Sequence, residues 1–401
     1  MQIKNNRLVG TLSLSFVVAL LICIPQREAE ACGGCVAPPG NFSAVDSHRM
    51  VVKLGLEESI LWDQFIYSGV PEEFAWILPV PSPETVVEIA DGDFIDVIDQ
   101  ETTPIVVPPA CASENAAGGC DSGCGSFAPP PNLADEVTVH RHEMVGPYET
   151  VVIGADDPNA IYAWLAQNEY AFPDTGFPVL DYYTERRSSF VVLRLRPGVE
   201  VSAMQPVRVR FKGYMGQFPL RMISLGVAGA VDISLWIVAD DRYGPTNFES
   251  RTMDPSTIAW NWETNSSNYQ VAFEQAIADA GGSAWITEYA QPLEDSAVAE
   301  KLLADSPADL AMAKAGIHYP VLTRMRTTLP VEALSEDLIL GLSDDPSMVP
   351  REVVAEQNLG ECGQAVTAGM LPSAGNGHTQ ALFWLLLVAP FVAVRRRRSG
   401  H

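Results

Sequence analysis

Residues 74–81 read FAWILPVP: Phe74, Ala75, Trp76, Ile77 and Leu78 form an unbroken apolar run, and Pro79-Val80-Pro81 close it. A short apolar run ended by prolines is a strand passing into an extended edge, since proline has no N–H to give to a ladder. β-like runs recur around it, at 148–153, 189–195, 207–211 and 233–238, and Val137 and Val139 alternate with Thr138 and His140. Arg194 and Arg196, then Arg208 and Arg210, alternate with apolar residues, which predicts strands with one wet face.

Helical spacing reads differently. Asp157 caps and Pro158 opens a helix with Ile161, Trp164 and Leu165 on one face. A second, over about 268–280, aligns Tyr269, Phe273, Ala276 and Ile277 and stops at Gly281-Gly282. Short helices are expected at 296–304 and 307–315. Strand and helix patterns are segregated, so the predicted class is α+β. Antiparallel-rich sheets fill the first two-thirds, with helices concentrated in the last third. Residues 32–360 form this body. Within it, 108–131 is a loop insertion rich in Cys, Pro and Gly, and 361–380 is a flexible linker.

Both ends carry addresses. Lys4 and Arg7 precede the apolar run 8–24, and Ala29-Glu30-Ala31 offers the small residues a signal peptidase reads. Residues 1–31 are therefore expected to be a signal peptide, with a permanent membrane helix as the alternative. A lipid on Cys32 is the lesser option, because Ala29 stands where such sites carry a bulky aliphatic. At the other end 381–394 (ALFWLLLVAPFVAV) is uncharged, and Arg395-Arg396-Arg397-Arg398 begin a basic tail, 395–401. An apolar segment closed by arginines is a transmembrane stop with its basic side cytoplasmic. As a helix it reaches only about 21 Å against a hydrocarbon core of about 30 Å. In its shortness it resembles the three-part C-terminal sorting tails of bacterial surface proteins, with a plain single-span anchor as the alternative. The expectation is an exported protein at the cell envelope, body outside the cytoplasm, partnered by the membrane through 381–394.

The chain has 25 Lys and Arg against 50 Asp and Glu. Without 1–31 and 381–401, 18 basic and 48 acidic residues remain, a net of −30. Such a body repels phosphate backbones, so no nucleic acid partner is expected. The acid falls in small groups (Asp91, Asp93, Asp96, Asp99; Asp156-Asp157; Asp240-Asp241; Asp344-Asp345) without calcium-loop spacing, and reads as solvated surface.

Six cysteines follow Ala31: Cys32, Cys35, Cys111, Cys120, Cys124 and Cys362. An even number outside the cytoplasm predicts disulfides, in a pairing the sequence leaves open. Cys32-Gly33-Gly34-Cys35 has the C-x-x-C spacing of redox sites but not the helix that stabilises a thiolate. A zinc site from Cys111, Cys120, Cys124 and a histidine lacks the repeated C-x-x-C pair.

Several separated stretches resemble the bacterial family known as domain of unknown function 2330. These are Ala31-Cys32-Gly33-Gly34 after an export signal, and Gly69-Val70-Pro71 leading to the run at 74–81. Trp164-Leu165-Ala166-Gln167-Asn168-Glu169-Tyr170 follows, then Leu322-Thr323-Arg324-Met325-Arg326-Thr327 before Asp337-Leu338. The resemblance covers most of 31–345. It implies an envelope location and a shared fold, and it transfers no catalytic residue.

His140 and His142, with Glu143 beside them, are the nearest approach to metal ligands, but no third ligand can be named and the pair reads as exposed strand histidines. Arg324 and Arg326 share a strand face and fit internal salt bridges better than an anionic ligand. Trp260 and Trp262 repeat that geometry, which suits stacking on a sugar but more often belongs to a core. No nucleophile elbow, P-loop or dinucleotide fingerprint is present, and no cofactor is implied. The leading expectation is a non-catalytic, envelope-anchored binding or display domain, with an envelope polymer or protein as its partner. A polymer hydrolase, a thiol oxidoreductase on Cys32 and Cys35, and a carbohydrate-binding module are the alternatives.

Overall fold

The structure is a computed structural model that describes residues 35–36, 44–68, 75–109, 138–170, 172–173, 176–227 and 229–359. Two large sheets take the strands β1 (Cys35–Val36), β2 (Ala44–Lys53), β3 (Glu58–Ser68), β4 (Ala75–Val80), β5 (Val86–Ile89), β6 (Thr138–Val145), β7 (Tyr148–Gly154), β8 (Ser189–Leu195), β9 (Val207–Lys212), β10 (Ala230–Ala239), β11 (Ser250–Thr252), β12 (Trp285–Pro292) and β13 (Val321–Pro330). One is five-stranded and antiparallel throughout, in the order β1-β4-β8-β7-β6. The other is eight-stranded, in the order β11-β12-β13-β10-β2-β3-β9-β5. Two of its pairs, β11 with β12 and β10 with β2, are parallel.

Alternation along the strands packs the sheets face to face. Trp76, Leu78 and Val80 of β4 and Val191, Leu193 and Leu195 of β8 share one apolar cluster with Met50, Val52, Val209, Leu235 and Met325 of the larger sheet. The alternate residues of each strand point outward, and helices cover them. Ile77, Ile153 and Val192 meet α2 (Pro158–Gln167) and α3 (Phe177–Glu185) through Ile161, Leu165, Leu180 and Tyr183. On the larger sheet, Trp62, Trp236 and Leu322 pack with α1 (Gly92–Thr102), α6 (Ala297–Asp305) and α7 (Pro307–Lys314). A short α4 (Leu220–Ile223) and α5 (Tyr269–Asp279) lie between these helices in the chain. The result is four layers, helix on sheet on sheet on helix.

Contrary to the predicted pattern, the helices are not concentrated in the last third but are scattered along the chain. α1, α2 and α3 all lie in the first half of the chain, the last of them ending at Glu185. The reason is geometric: each sheet buries one face against the other, so each needs its own helical cover, drawn from chain near its own strands. Strand β4 is buried along its whole length. Among the described residues, Pro79 of β4 pairs only with Phe190 of β8.

Among the described residues no helix is long and apolar enough to cross a membrane. The segments 1–31, 361–380, 381–394 and 395–401 and the insertion 108–131 lie wholly or largely outside the described residues, as do Cys32, Cys111, Cys120, Cys124, Cys362 and the thiol of Cys35.

Candidate functional site

Strand β12 contains one residue too many. Thr287 pairs with Met325 and Tyr289 with Arg324, so Glu288 is the extra residue of a bulge. The bulge turns neighbours the same way. Tyr289 packs in the cluster under α1, α6 and α7, and Glu288 reaches Arg324, which also meets α1. Strict alternation would send one of the two into the inter-sheet core.

The outer edge of β12 is interrupted at the same place. β11 runs beside Trp285 to Thr287, and Val349 bridges to Ala290. Beside Thr287 and Glu288 the edge opens into a cleft of about 420 Å³. Met253, Met348, Val349 and Val354 supply apolar wall, while buried Glu288 and the Tyr269 ring of α5 supply a polar floor.

Glu288 is held on every side. Its Oε2 accepts from Arg324 Nε at 2.8 Å. Its Oε1 accepts from Arg326 Nη1 at 3.2 Å and from the Tyr269 hydroxyl at 3.1 Å. Arg324 continues to Asp99 Oδ1 of α1, 2.5 Å from Nη1, and lies 5.0 Å from the centre of the Trp236 ring. Arg49 then joins Asp99 at 3.1 Å and Asp96 at 2.7 Å. Pairing of this kind is what allows charge to be buried. Burial and the neighbouring Glu288 push the Tyr269 phenol well above its ordinary range, so it remains a donor. On the wall, the Ser347 hydroxyl donates to Asp345 at 2.5 Å. That bond, the Ser347 backbone N–H and Arg242 hold the Asp345 carboxyl below its usual value. A carboxylate held low is a poor proton acceptor near neutrality.

Of the residues singled out from sequence, the structure brings Arg324 and Arg326 to this site, both spent on internal ion pairs. Arg326 also stacks on Phe273 of α5, 4.3 Å from the ring centre. Trp260 and Trp262 are elsewhere. Their rings meet edge to face at 70° with centres 6.4 Å apart, and Trp262 Nε1 donates to Asn358 Oδ1 at 2.7 Å. Trp260 packs into the cluster of Phe273 and Ile277 and does not line the cleft. Two rings at that angle offer no shared flat face. His140 falls at a bulge between Val139 and Arg141, which breaks its alternation with His142, and His142 Nε2 lies 2.9 Å from Glu149 Oε1. Among the described residues no three His, Cys, Asp or Glu side chains are arranged to hold a metal. The sequence pattern marks Tyr269 only as part of a helix face and gives Glu288 no role. The available signal was a charged residue inside Trp285-Ile286-Thr287-Glu288-Tyr289, a run otherwise suited to burial.

The family model described as an uncharacterized protein conserved in bacteria (DUF2330) matches residues 26–337. The chain belongs to this family. The DUF2330 match takes in both large sheets, Glu288 and both arginines, whereas the wall formed by 347–356 lies beyond it. No curated protein matches the chain. Among solved structures, the crystal structure of a mutated baculovirus P35 after caspase cleavage is similar over 50% of this chain and 70% of that one, with 9% identity and a TM-score of 0.27.

Proposed function

We propose that this DUF2330 protein is exported, is held at the cell envelope through 381–394, and works there as a non-catalytic binding domain. Its ligand, or a segment of an envelope polymer or protein partner, seats in the cleft beside Glu288. One observation carries the reading: the buried carboxylate of the cleft, Glu288, is closed on two arginines and a tyrosine and so is already spent on internal partners. A volume of about 420 Å³ lies within the range of small-ligand sites.

Thr252 stands on the cleft wall, so Thr252→Trp fills it. A thermal-shift screen of a broad fragment set against the full chain should find compounds that protect the wild type and not this variant. A screen in which every hit protects both equally, or turnover of any envelope substrate, sinks the reading. The location is tested by intact mass from the native envelope. A mass starting at Cys32 supports export with a cleaved signal peptide, and recovery of the protein with residues 1–31 intact from the cytosol rather than the envelope ends it.

A further inference from the structure

We infer that the cleft takes an organic cation, an ammonium or guanidinium group carried on an apolar body. This rests on the binding reading above and adds the sign of the ligand's charge. Three carboxylates line the cleft, Glu288, Glu352 and Glu356, and the lining contains no Lys, Arg or His. The guanidiniums that neutralise Glu288 lie behind it on β13, away from the wall. Glu352 and Glu356 are exposed, and their carboxylates make no ion pair or hydrogen bond with any described residue. The excess charge of the cleft is therefore negative and sits toward solvent.

The same wall carries exposed apolar surface. Met348 is 41% exposed and Val354 52%. Val354 is two residues from both Glu352 and Glu356 in the chain, so greasy and acidic groups alternate along that side of the cleft. A ligand complementary to this arrangement has an apolar body that covers Met348 and Val354 and a positive end that meets the carboxylates. An anion of the same shape is rejected by like charge. The acidity of the whole body adds to the bias by drawing cations toward the surface at low ionic strength.

Three probes with one body separate charge from shape: 4-phenylbutylammonium, 4-phenylbutanol and 4-phenylbutanoate. Isothermal titration of the full chain in neutral-detergent micelles at low salt should rank them in that order. The expected step from the first to the second is about tenfold, the scale of a pair of exposed charge contacts. In a Glu352→Gln/Glu356→Gln variant, whose carboxamides keep the shape, the ammonium and the alcohol should bind within about twofold of each other. Equal binding of ammonium and alcohol, unmoved by the double variant, overturns the charge inference while leaving the cleft a binding site. Absence of any binding that Thr252→Trp removes overturns both.

Discussion

A glutamate in each large sheet sits in a cluster of two basic groups and a tyrosine. In the eight-stranded sheet Glu288 lies between Arg324 and Arg326 with the Tyr269 hydroxyl on its Oε1. In the five-stranded sheet Glu149 of β7 lies between Arg194, at 2.8 Å, and His142, at 2.9 Å, while the Tyr170 ring packs 4.8 Å from the Arg194 guanidinium. One carboxylate, two basic groups and one tyrosine make up each cluster. The surroundings differ. The side chains of Glu288 and Arg324 are 0% and 5% exposed, whereas those of Glu149, Arg194 and His142 are 13%, 32% and 52% exposed. Water can replace a partner lost from the Glu149 cluster but not one lost from Glu288. The contact lists are alike, and desolvation decides what each contact is worth.

Removing one buried partner tests that contrast hardest. Arg324→Met leaves Glu288, whose side chain is 0% exposed, with the longer Arg326 contact and the Tyr269 hydroxyl. The expected loss is about 3–5 kcal/mol, read from urea midpoints of the full chain. Adding Glu288→Met should recover most of it, because an apolar pair of similar size often replaces a buried ion pair at little cost. A single variant within about 1 kcal/mol of wild type would show that the cluster is hydrated after all.

This contrast was only partly legible in the amino-acid order. The strands at 189–195 and 207–211 were, since alternation over several residues has no competing reading, and the structure has Ser189–Leu195 and Val207–Lys212 there. The start of α2 was equally plain: Asp157 accepts from the Asn159 N–H at 2.9 Å and Pro158 follows. Helix α1 was hidden by its own acid. Asp91, Asp93, Asp96 and Asp99 look like solvated surface, yet Phe94, Ile95, Val97 and Ile98 between them form its buried face. The strand face expected to be wet at Arg208 is roofed by α7, whose buried Asp309 pairs with it. Glu288 was out of reach for a different reason. A bulge is a property of pairing between strands, and the partners of Glu288 lie 19, 36 and 38 residues away in the chain. No local pattern reports contacts of that span.

The exposed cluster should respond on a smaller scale. Glu149→Gln keeps hydrogen-bond shape and removes one charge that water already shares. A loss of about 1 kcal/mol or less is expected, and it should shrink as salt is raised from 0.05 to about 0.5 M. Urea midpoints at the two salt concentrations measure it. A loss comparable with that of Arg324→Met would mean that the contact itself, rather than its burial, sets the energy.

Acid gives the smallest and most specific effect. The hydrogen bond from Arg194 holds the Glu149 carboxyl below its ordinary value, with His142 adding to the shift. A His142→Ala background leaves Arg194 as the one remaining basic clamp among the described residues. The folded-state value then lies below the unfolded one, which is about 4.3 for glutamate. Such a group contributes its full stabilisation above the unfolded value and loses it as pH falls through the folded one. The stability gap between this background and the same chain carrying Glu149→Gln should therefore stay level from pH 7 to about 5 and close below about 4. A gap that persists unchanged to pH 3 would mean that Arg194 holds the side chain by shape and packing, and the likeness between the two glutamates would end at geometry.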